Sequence, residues 1–368
     1  MKRKTLTMLG VGDLILENKS GDFVLSLAAS VLKSGDVVVG QGEVLFTDRG
    51  YSTFADMYGT AGAAPPQNMK AIASAGFNVI TLAGNHTWDQ GAPAIEDTIA
   101  GFGKLGVAVT GAGMNLDEAR TPAILERDGV RFGFLSYSCV GPMGEWAGKA
   151  KPGCAFVHVI AHYEMNYANL GGTPDVYTFA EPHSLKDMIG DVQKLRPLCD
   201  ILVVSFHKGI IIPPDRLAMY DQQVPYAAID AGADLIFGHH AHILQGVEYY
   251  KGKAIFHGLS HFVKDVADRS PEQIQPFHSY GTPPFPPANT DTQWTIIAKC
   301  LIDDGKITQV GYIPCLINDK RQPEVLKNDE RGRQCFDFMD KITKGAGLET
   351  GYEWKGDEVV VHEKKYKH

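Results

Sequence analysis

Short apolar runs that close on a polar residue alternate along the chain with longer stretches of helical period. Thr5–Val11 reads as a strand leading to Asp13, and Phe23–Lys33 as the helix after it. Asp36–Gly40 is a short strand closing on Glu43. Pro66–Ala75 is helical, and the strand Asn78–Leu82 runs into Ala83-Gly84-Asn85-His86. Ala92–Leu105 is a helix, Val107–Thr110 a strand, and Ala123–Val140 a hairpin turning at Asp128-Gly129. Farther on, His183–Arg196 and Gln222–Ala231 are helices, Ile201–Ser205 is a strand ending at His207, and Leu235–Phe237 one ending at Gly238-His239-His240-Ala241-His242. Hairpins follow around Lys251-Gly252-Lys253 and Asp303-Asp304-Gly305, and the tail holds a helix over Asn328–Ile342 and a last hairpin at Lys355-Gly356-Asp357.

This rhythm predicts an α/β fold with mixed sheets and helices on both faces. Two stretches break it: residues 141–182, rich in Gly, Pro and aromatics, and the proline-rich 269–289, both read as loop insertions. The expected organisation is one domain over residues 1–320 with those insertions, and a helix-and-hairpin extension of the same domain over 321–368.

Composition narrows the function. The chain of 368 residues is 44% hydrophobic and carries a formal charge of −8, which argues against a nucleic-acid groove. Six cysteines without a CxxC pair suggest reduced thiols, and the short apolar stretch after the basic N-terminus breaks at Gly12-Asp13, too early for a signal peptide. A cytoplasmic location is expected, with a small-molecule substrate and neither membrane nor nucleic acid as partner; a homo-oligomer stays open.

The chemistry lies in what ends the strands. Asp13, Glu43, Asn85-His86, His207 and His239, His240 and His242 each follow an apolar run, and open α/β sheets bind ligands at the carboxyl ends of their strands. Taken alone, each has an ordinary reading: Asp13 as a helix cap, Glu43 as surface, Asn85-His86 as turn chemistry, His207 as a packed histidine. Their joint occurrence, and three histidines within four residues, point to a metal site. Imidazole mixed with oxygen ligands suits Mn, Fe or Zn, and a carboxylate bridging two ions would set activated water against an electrophile.

In order, Gly12-Asp13, Glu43, Gly84-Asn85-His86, His207-Lys208-Gly209 and Gly238-His239-His240-Ala241-His242 resemble the CapA family of poly-γ-glutamate capsule synthesis, a branch of the calcineurin-like metallophosphatase fold. The resemblance covers roughly residues 5–315 and implies a four-layer metallophosphatase-like α/β sandwich. It implies that Asp13, Glu43 and His242 hold one ion, that Glu43, Asn85, His207 and His240 hold the other, and that His86 does acid–base work. His239 is then a neighbour of the ligands.

Several motifs depart from that pattern. The Asp-x-His of the metallophosphatases reads Asp13-Leu14-Ile15, so the first ion lacks a ligand and the count, one or two divalent ions, stays open. The family's Leu-Gly-Asn-Phe reads Leu259-Ser260-His261-Phe262, which makes His257 and His261 two extra imidazoles, expected to bind substrate or move protons. Tyr137, Trp146, Tyr163, Tyr167 and Tyr177 are expected to line a substrate pocket. The leading expectation is a metal-dependent hydrolase acting on a small anionic substrate at a phosphoester or amide bond, with a slight lean away from phosphoester. The alternatives are a metal-dependent lyase and a non-catalytic protein of capsule or envelope assembly.

Overall fold

The computed structural model describes residues 4–51, 53, 62–165, 174–267 and 290–364. Its core is two sheets packed face to face. The larger sheet has ten strands along the path Thr350–Lys355, Glu358–Glu363, Lys306–Ile317, Trp294–Asp303, Leu6–Leu16, Val37–Gly42, Val79–Thr81 and Ala108–Thr110; His261–Asp265 joins it beside the first strand, and Pro323–Val325 beside Lys306–Ile317. The smaller has six, in the order Leu244–Tyr250, Lys253–Leu259, Leu235–His240, Ile201–Lys208, Val130–Ser138 and Ala123–Arg127.

Alternation of side chains along each strand builds the layers. In the first strand Leu6 and Met8 face the second sheet, meeting Phe132, Val203 and Phe237. Leu9 and Val11 face outward, onto Val24, Ile72 and Ile95 of the helices Gly21–Leu25, Gln67–Ala75 and Gly91–Lys104. In the second sheet Val203 points inward, while Leu202 and Val204 cover the far side, under Met188 and Val224 of Pro182–Leu195 and Met219–Ala231. The result is helix, sheet, sheet, helix: the four layers expected. The C-terminal hairpin extends the large sheet through Val310–Val361 pairing, and the Glu330–Gly345 helix seals the inter-sheet core with Cys335, Met339 and Ile342.

Some local expectations change. The helix expected over Phe23–Lys33 is two short ones, Gly21–Leu25 and Ala29–Leu32, because Ser26 Oγ and Gln322 Nε2 both take the Phe23 carbonyl that a continuous helix would use. The first strand runs on to Leu16, so Asp13 lies inside it, as His207 lies inside Ile201–Lys208. Within the first insertion, Val159–Glu164 and Asp175–Ala180 pair as an antiparallel ribbon that the Gly- and aromatic-rich composition hides. The 269–289 insertion lies outside the described residues. All six cysteines are buried and free. Among the described residues no helix is long and apolar enough to cross a membrane.

Candidate metal centre

The polar residues singled out in the sequence converge where the two sheets meet at their strand ends. The first strand does not present Asp13 through a regular ladder: its pairing with Val37–Gly42 shifts register between Gly10 and Asp13, and its pairing with His261–Asp265 shifts between Asp13 and Leu14. The Asp13 N–H instead donates to the Ser260 carbonyl at 3.0 Å. Only glycine fits beside that contact, since a Cβ on Gly12 would lie 1.9 Å from the Ser260 oxygen. From the second sheet, His240 and His242 project from left-handed backbone (φ 83° and 55°), conformations rare for non-glycine residues and characteristic of functional sites.

The buried Asp13 carboxylate sits 3.2 Å from His239 Nδ1 and 3.1 Å from His242 Nδ1, and its Oδ2 accepts the His240 N–H at 3.2 Å. Glu43 Oε2 is 3.6 Å from His207 Nδ1 and Oε1 is 3.6 Å from His242 Nε2. Asn85 Oδ1 meets His207 Nε2 at 2.6 Å and His240 Nδ1 at 3.1 Å. Glu43 thus lies between the Asp13–His242 side and the His207–Asn85–His240 side.

Burial, with the charges of Asp13 and Asp89, pushes Glu43 well above the usual carboxyl range. Against its own burial, Asp13 is drawn well below that range by hydrogen bonding and charge from His239 and His242. Burial keeps His207 neutral and, with His242, pushes His240 down to about 3. Neutral imidazole is the ligating form.

Asp13 Oδ1, both Glu43 carboxylate oxygens and the Nδ1 atoms of His207, His239, His242 and His261 are all buried without hydrogen-bond geometry to any partner. An unsatisfied buried polar atom costs about 1–3 kcal/mol, so a cluster holding several is expensive in a fold only ~5–15 kcal/mol stable unless something else satisfies them. One ligand atom each from Asp13, Glu43 and His207 lies within 4.8 Å of the others, and the same holds for Asp13, His242 and His261. Carboxylate, amide oxygen and imidazole are donors that fit a divalent transition ion. Asp13, Glu43, Asn85, His207, His240 and His242 are therefore all brought to one place.

Beside this cluster stands His86, about a quarter exposed, with Nε2 4.0 Å from Glu43 Oε1. Its Nδ1 is held by Asp89 Oδ2 at 2.6 Å, a partner sequence reasoning missed although the His-x-x-Asp spacing signals it. A second missed residue is Glu145, from the first insertion. It is buried behind Asp89, accepts the Trp88 N–H, and is pushed up to about 8 by burial and the Asp89 charge.

Not every expected residue arrives. His257 engages both ring nitrogens elsewhere: Nδ1 accepts from Lys208 Nζ at 3.1 Å, and Nε2 donates to Glu248 Oε2 at 2.9 Å. Tyr137 is packed in the outer core against Phe206, its hydroxyl donating to Asp191, because its strand position faces the helices rather than the site. Trp146 is stacked on Phe156, 4.4 Å away. Tyr163 and Tyr177 are exposed on the ribbon, and Tyr167 lies outside the described residues.

The family model described as bacterial capsule synthesis protein PGA_cap matches residues 7–266, a span holding every residue of the cluster. The chain belongs to this family. Similar members include the capsule biosynthesis protein CapA of Bacillus anthracis, 31% identical over 274 residues (72% of this chain, 61% of that protein), and the PGA biosynthesis protein CapA of Bacillus subtilis, 28% identical over 255 (68% and 59%). The chain thus spans about three fifths of the length of these curated relatives. Among solved structures, the calcineurin-like phosphoesterase YfkN of Bacillus subtilis superposes with a TM-score of 0.40 at 13% identity, covering 94% of this chain and 98% of that one. The PGA_cap match ends one residue after the His261–Asp265 strand, so the late strands and the C-terminal hairpin complete the sheet from outside the family core.

Proposed function

We propose that this PGA_cap chain is a metal-dependent hydrolase acting on a small anionic substrate. The observation that carries the reading is the convergence of Asp13, Glu43, His207 and His242 in two ligand groups that share Asp13, with several of their polar atoms buried and lacking hydrogen-bond geometry to any partner. Divalent ions held there supply Lewis-acid activation of a substrate oxygen and of water. The chain's own residues do the rest. Glu43 stands between the two halves of the donor set, and Asn85 bridges His207 and His240 through its side-chain oxygen. The Asp89 carboxylate accepts from His86 Nδ1, which leaves Nε2 turned toward Glu43 and free to give or take a proton at the departing group.

A phosphoryl or a carboxyl centre would present the same requirement, an oxygen that gains negative charge in the transition state. Purified chain reconstituted with Mn²⁺ or Zn²⁺ and offered p-nitrophenyl phosphate esters and anilides should turn over one class. Turnover should be lost on chelation and fall by about 10²–10⁴-fold in His86→Gln. Metal uptake without turnover of any substrate would favour a second reading, a metal-holding protein of capsule assembly, which the names of the Bacillus relatives support. A chain that takes up no metal would sink the hydrolase.

A further inference from the structure

The resemblance to the metallophosphatases leaves one gap, the histidine two positions after Asp13. Ile15 stands there, buried in the apolar cluster under the outer helices, so the first strand itself offers no imidazole. The neighbouring strand does. His261 opens the His261–Asp265 strand, which runs parallel to the first strand, and it is paired directly with Asp13. The left-handed Ser260 (φ 65°) turns the chain just before it, and the Ser260 carbonyl receives the Asp13 N–H against the bare face of Gly12. This arrangement lays the His261 ring on that of His242, with centroids 4.0 Å apart and planes 15° from parallel. Its Nδ1 is buried and has no hydrogen-bond partner, and one ligand atom from each of His261, His242 and Asp13 falls within 4.8 Å of the others.

We infer that His261 is a metal ligand, supplying from the adjacent strand the imidazole that the first motif lacks. Asp13, Glu43, His242 and His261 then form one position, and Glu43, Asn85, His207 and His240 the other. His261 thereby leaves the acid–base and substrate-binding roles expected of it. A packed histidine of the same motif region looks different: His257, four residues earlier, has both nitrogens engaged. The assignment rests on the metal-dependent reading above, and it makes the site dinuclear in spite of the altered first motif.

The test is metal stoichiometry on the full chain, measured by elemental analysis after loading with Zn²⁺ and removal of free ion. Wild type should hold two ions, and His261→Ala one. His261→Cys should hold two, and its Co²⁺ form should show a thiolate-to-cobalt charge-transfer band absent from Co²⁺-loaded wild type, a readout independent of activity and of whether the alanine variant folds. A His261→Ala chain that keeps the wild-type stoichiometry, or a folded His261→Cys chain without that band, overturns the assignment while leaving the hydrolase reading intact. Wild type without metal overturns both.

Discussion

His207 and Lys208 are consecutive residues of one strand and serve two clusters of opposite character. Strand alternation sends His207 into the candidate metal centre, where Asp13, Glu43, His239, His242 and His261 hold buried atoms without hydrogen-bond geometry to any partner. Lys208 goes to the other face, where Nζ meets Asp221 Oδ1 at 3.2 Å and His257 at 3.1 Å. Glu248 closes that chain, binding His257, Gln222 and Tyr226. Both clusters are buried and rich in charge and imidazole. One is saturated by its own members and the other is not, and that difference, rather than burial or histidine count, separates a site built to hold a ligand from one built to hold the fold.

Removing a residue from each side should break the comparison in opposite directions. Asp13→Ala should abolish metal uptake at its position and reduce turnover to background, a loss beyond the about 10- to 100-fold typical of losing an outer partner of a ligand. Circular dichroism should stay native. Lys208→Met should do the reverse: Asp221 and His257 lose their cation inside the core, so the urea midpoint should drop by an amount worth about 3–5 kcal/mol while metal stoichiometry holds. A Lys208→Met chain of full stability would show that the second cluster is not the closed network described here.

Gly238 sits between the two, and a Cβ there would lie 1.9 Å from the His257 carbonyl oxygen. Gly238→Ala should therefore cost about 1–3 kcal/mol and weaken metal binding at the same time, because the histidine run must shift with it. Unchanged metal affinity in that variant would separate the clusters mechanically. A last effect, confined to a pH window, concerns Glu145. Its carboxyl is held up at about 8 against an ordinary 4.5, so the stability tied to its protonated form is full below pH 4.5 and disappears as pH rises through about 8. Glu145→Gln, neutral throughout, should lose less stability than wild type between pH 5 and 8 in paired thermal melts; parallel curves would mean the carboxyl is not held protonated.

Much of this was legible along the chain because the signals are local. An apolar run closing on Asp13, Asn85 or His207 marks a strand end whatever that strand pairs with. The fate of His257 and His261 was not legible. Both follow the histidine run at similar distance, and only tertiary pairing separates them: His257 lies in a strand of the smaller sheet, with its ring turned to Lys208, while His261 begins a strand of the larger sheet, in register with Asp13. Likewise, nothing near Tyr137 says that its side of the strand faces helices. The broken first helix depended on Gln322, some 300 residues away.

The first strand changes neighbours halfway. Through Gly10 it is flanked by the antiparallel Trp294–Asp303, and from Asp13 by the parallel His261–Asp265. Closing that second pairing joins residues roughly 250 positions apart, the kind of contact whose chain-entropy cost defers it in folding. Asp13 leaves the ribosome well before its partner strand and must wait for it. An ion that needs Asp13 and His261 together can be captured firmly only by a molecule whose larger sheet is already closed at that fork, so metal retention doubles as a report that the two ends of the family core have found each other.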